Sequence, residues 1–137
     1  MTTDPSVLRS LAISAEDLLA AMEAEARGGP PTVLRVTPPY SGRMRARLHV
    51  VQTADDGETV HIPPESLLDD DAPAYPTPDG TADELRSRAD TEYSVDRHRD
   101  YHEQQVETWR AALLDHVVES VELPDVEGEI TISLLGT

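Results

Sequence analysis

The chain has 137 residues, a formal net charge of −16 and no cysteine or phenylalanine. The length suits one domain with a modest core. The missing cysteines exclude disulfides, thiolate catalysis and Cys-based zinc sites, and no stretch approaches the roughly 20 apolar residues of a spanning helix. The opening MTTDPSVLRS carries no basic start and no long apolar run, so no secretory leader is expected and the cytoplasm is the expected compartment.

In chain order, residues 1–13 read two ways. DPSVLRSLAI is either a short helix with Asp4 as cap and Pro5 at its first position, or an extended lead-in. Ser14 then caps a helix expected over 15–27, closed by Gly28 and Gly29. TVLRV (32–36) reads as a strand and TPPYSG (37–42) as a turn. RMRARLHVV (43–51) alternates strictly, which predicts a half-buried strand. Its apolar face would be Met44, Ala46, Leu48 and Val50; its polar face Arg43, Arg45, Arg47 and His49. TADDGE (53–58) predicts a turn and TVHI (59–62) a third strand. Residues 63–81, rich in Pro and Asp, read as a surface loop with one helical turn at 64–68. A short helix capped by Thr81 is expected over 81–90. Ser94 caps the longest helix, expected to run from 95 to about 120, with Val106, Trp109, Leu113 and Val117 on one stripe. EITISLLG (129–136) is a final strand.

These elements predict a single α+β domain over residues 1–137. A small, mostly antiparallel sheet of three or four strands would pack against the helices at 15–27 and 95–120.

The charge is unevenly placed. Acids number 27, against 11 basic residues that are all arginine. Residues 26–54 hold no acid and five arginines: Arg27, Arg35, Arg43, Arg45 and Arg47. An acid excess without lysine fits a cytoplasm of molar salt, where the Debye length is about 3 Å and only contact forces remain. With AEDLLAAMEAEARGGPPTVLRVTPPYSGRMRARLHV, this composition resembles small uncharacterised acidic proteins of halophilic archaea. That resemblance implies no activity and supplies no catalytic residues.

A guanidinium grips phosphate or carboxylate with two parallel hydrogen bonds. Arg43, Arg45 and Arg47 at alternate strand positions would stand in a row about 6.6 Å apart, with Arg35 near them and Tyr40 placed to stack on a base. The leading expectation is a non-catalytic binding module that engages an anionic partner, nucleic acid or an acidic protein surface, through these five residues. Internal pairing of the arginines with acids of a neighbouring strand, or of the helix at 95–120, is the competing expectation. His98 and His102, four apart in HRDYH, have the spacing of a two-histidine metal site and keep open a metal-dependent enzyme, with a third ligand drawn from His49, His61 or His116. A structural subunit of a homo-oligomer is a further alternative. No cofactor is called for, and no nucleophile elbow or phosphate-cradling glycine loop is present.

Overall fold

The computed structural model describes residues 2–51, 59–88, 92–124, 126 and 128–136. The turn expected at 53–58 lies outside them. Contacts divide the chain into two compact units, Met1–Asp70 with Val117–Thr137, and Asp71–His116. Composition carries no mark of the division, because the Pro- and Asp-rich segment straddles it.

The first unit holds seven strands among the described residues. Asp4 accepts a hydrogen bond from Ser6 N (3.0 Å) and caps a 3-10 turn at Pro5–Val7, so both readings of the N-terminal segment hold in part. The turn leads into strand β1 (Ser10–Ser14). Ser14 ends that strand and starts helix α1 (Ala15–Ala26), its hydroxyl accepting from Asp17 N at 3.0 Å. Gly28, at φ +74°, supplies the left-handed turn after α1 that a side chain would disfavour. Strands β2 (Thr32–Val36), β3 (Arg43–Arg45), β4 (Arg47–Val50), β5 (Val60–Ile62), β6 (Ser120–Glu122) and β7 (Glu129–Leu135) follow, with a 3-10 turn at Pro64–Leu67.

The α+β class holds, but the strands form two sheets rather than one. The four-stranded sheet has the order β3-β1-β7-β6 and the three-stranded sheet the order β4-β2-β5. β1 runs parallel to β3 and β7; the other pairings are antiparallel. Helix α1 packs on β2 and β4. Leu11, Ile13, Leu18, Leu34, Val36, Tyr40, Ile62, Ile130 and Ile132 share one core. Each fully buried aliphatic side chain contributes about 1.5–3 kcal/mol, which lets aliphatics hold a domain so poor in aromatics.

In the second unit, helix α2 (Pro78–Arg86) packs on α3 (Val95–Leu114). α2 starts three residues before the expected position. Thr77 caps it, accepting from Gly80 N at 3.1 Å, and Pro78 takes the first helical position that suits its missing N–H. Thr81 is instead buried inside the helix. α3 begins as expected, Ser94 accepting from Arg97 N, but ends at Leu114 rather than near 120. The β-branched cluster Val117, Val118 and Val121 favours extended backbone. Val117 bridges to Leu68, and Val121 lies in β6. The stripe's last apolar members therefore serve the first unit's core.

Candidate functional site

The segment 43–51 is not one strand. Ala46 is fully buried, and its N–H donates to Ala12 O at 3.0 Å, prolonging the pairing of β3 with β1. One residue later the chain pairs with β2. The polypeptide thus switches sheets at Ala46, so the row of three evenly spaced arginines does not form.

Arg43 and Arg45 stand on the outer face of the four-stranded sheet, both exposed. Register places Arg43 beside Ser10, Ser10 beside Thr131, and Thr131 beside Ser120. A guanidinium therefore ends a cross-strand row of three hydroxyls. The next row is Arg45, Ala12 and Ser133. Ser10, Ala12, Arg43, Thr131 and Ser133 line a shallow depression of about 400 Å³ on this face. Its small side chains leave room for a ligand group, and its hydroxyls can donate to an oxyanion. The sequence expectation missed these hydroxyls; their signal is the alternation of SLAIS (10–14) and TIS (131–133).

Arg47 belongs to the other sheet. It stands directly opposite Arg35, whose other neighbour is His61. Arg35 Nη1 lies 3.5 Å from His49 Nε2, and the rings of His49 and His61 are 5.5 Å apart. Like charges directly opposed across strands cost about 0.2–1 kcal/mol. Leu48 and Val50 fall on one side of β4, as alternation predicts, yet stay 40% and 46% exposed on this edge strand.

Among the described residues, Arg35, Arg43, Arg45 and Arg47 form no ion pair with a carboxylate. Tyr40 requires a correction. It is fully buried, with its hydroxyl 3.5 Å from Val36 O. It is a core residue and presents no face to a base.

His98 and His102 come together, but on a hydroxyl. Thr81 Oγ1 lies 2.9 Å from His98 Nε2 and 2.9 Å from His102 Nδ1, and 3.2 Å from the carbonyls of Thr77 and Pro78. A hydroxyl has one proton and two lone pairs. Every atom is satisfied when Thr81 donates to a carbonyl and accepts an N–H from each ring. That arrangement makes the two converging nitrogens donors and ties α2 to α3; in neutral rings it turns the lone pairs to the opposite nitrogens, His98 Nδ1 and His102 Nε2. Among the described residues no three His, Asp or Glu side chains are grouped to hold a metal ion.

Fold and surface together define a mixed α/β protein whose sheets carry outward arginines. The chain belongs to the family described as Domain of unknown function (DUF8009), which it matches over residues 1–136. Neither a curated protein nor a solved structure matches it. No helix among the described residues is long and apolar enough to cross a membrane.

Proposed function

We propose that this chain is a non-catalytic binding module of the cytoplasm that engages an anionic partner through Arg35, Arg43, Arg45 and Arg47. One observation carries the reading: in a chain of charge −16, these four guanidinium groups have no carboxylate partner among the described residues. The opposition of Arg35 and Arg47 supports it, since a sheet built for stability alone gains nothing from that pair. The acid excess and the absence of lysine fit work in molar salt, where bidentate contact outlasts long-range attraction.

An acidic protein surface suits this face better than single-stranded nucleic acid. Stacking platforms need exposed aromatics. Tyr40 is the one Phe, Tyr or Trp residue of the first unit, and it is buried. The test is the triple variant Arg43→Ala/Arg45→Ala/Arg47→Ala, purified in high salt beside the wild type. The expected result is an unchanged circular dichroism spectrum and loss of the co-purifying acidic protein. Unfolding of the variant would make the arginines structural, and co-purification of nucleic acid would replace the partner class.

A further inference from the structure

The second unit contains a cleft of about 320 Å³, within the size range of small-molecule sites. The loop before α2 supplies Pro73, Ala74 and Pro76; α3 supplies Gln105, Thr108 and Trp109. Trp109 is held in place. Its indole N–H donates to Pro73 O at 3.1 Å, and Tyr75 meets its ring edge-on with centroids 4.8 Å apart. Trp109 is only 3% exposed, so the cleft touches a fixed but small part of the indole.

Its polar groups are acceptor-rich. Thr81 is engaged in the histidine clasp, and Thr77 Oγ1 accepts the α2 cap bond while keeping its own proton. Thr108 donates to Gln104 O and keeps only acceptor capacity toward the cleft. The Gln105 side chain has no hydrogen-bond partner among the described residues and offers a carbonyl acceptor as well as N–H donors. Glu84 is the one ionisable residue of the lining. Tyr101 O–H donates to Glu84 Oε2 at 2.8 Å, orienting the carboxylate and leaving Oε1 to accept. That bond, then burial and the Glu84 charge, hold the Tyr101 phenol above its ordinary value, so it stays a donor. Arg88 stacks on the Tyr101 ring at 4.6 Å and is not part of the lining.

We infer that this cleft binds a small organic ammonium, its apolar body against Trp109 and the prolines and its N–H donors on Glu84 and Thr108. The lining's one charge is negative, and with the spare acceptors and the aromatic contact it favours a cation with a compact apolar body over an anion. This site shares no residue with the arginine faces, so either reading survives the failure of the other.

The chain has a single tryptophan, so its emission reports on the cleft directly. Wild-type protein in molar KCl is titrated with benzylamine at neutral pH and separately with benzyl alcohol. The expected result is a saturable emission change with the amine, about tenfold weaker for the alcohol and about tenfold weaker for the amine in Glu84→Gln. Tyr101→Phe, which frees the carboxylate without removing it, weakens the amine by a smaller factor. No saturable response to the amine, or equal affinity for amine and alcohol on the wild type, overturns the inference. So does a folded Glu84→Gln variant that binds the amine unchanged.

Discussion

The two units use arginine differently. In the helical unit each of the five arginines is engaged. Arg99 meets Asp96 at 3.0 Å and Arg86 meets Asp83 at 3.8 Å. Arg86 and Arg88 also cover the rings of Tyr93 and Tyr101, Arg97 donates to Glu92 O, and Arg110 has a partner of its own. On the sheets, Arg35, Arg43, Arg45 and Arg47 have no such carboxylates. The cause is local. Helix geometry brings residues three and four apart together, so an acid-rich helix supplies counter-ions to its own arginines. The sheet arginines lie in a 29-residue stretch without acids, and their cross-strand neighbours are Ser10, Ala12, His61 and one another. Arginine is thus engaged throughout the helical unit, whereas the four on the sheets lack carboxylate partners among the described residues.

The largest expected effect concerns what lies beneath the basic faces. Tyr40→Ala should lower unfolding stability by about 3–5 kcal/mol, measured by denaturant titration, as loss of a fully buried aromatic does. A loss under 1 kcal/mol would return Tyr40 to the surface and reopen stacking on bases. A smaller effect is expected in the helices. Arg99→Ala should cost no more than about 0.5 kcal/mol, because its pair with Asp96 is exposed, and it should leave partner binding intact.

The smallest effect is a pH dependence. Glu25 is pushed above the ordinary carboxylate value by burial first, then by its hydrogen bond to Glu65 and that group's charge. A carboxyl group with a raised folded value contributes stability at low pH and loses it as pH climbs through that value. Glu65→Gln should therefore stabilise the protein slightly at neutral pH and not below the carboxylate range. The gain should shrink in molar salt, and thermal melts at two pH values and two salt concentrations read it.

Much of the fold was legible where chemistry is local. Ser14 and Ser94 cap the helices that their sequence context announced, and the 3-10 turn at Pro64–Leu67 follows its prolines. β1 was ambiguous because Ser14 both ends the strand and caps α1, leaving no loop to mark the change. The switch at Ala46 was hidden because alternation continues across it; only the partner strand changes. The start of α2 was misplaced because Thr81 resembles a cap as closely as Thr77 does, and Pro78 was read as loop punctuation. The arginines of the site were legible one by one, but their division between two sheets was not. Neither was the cleft, which needs the loop at 73–77 to meet α3 in space.

The most direct test of available sheet arginines is calorimetric titration of the folded wild-type chain with poly-L-glutamate in molar KCl. The account predicts saturable binding that disappears in the Arg43→Ala/Arg45→Ala/Arg47→Ala variant while its melting temperature stays the same. Absence of binding to the wild type, or equal binding by both proteins, would contradict it.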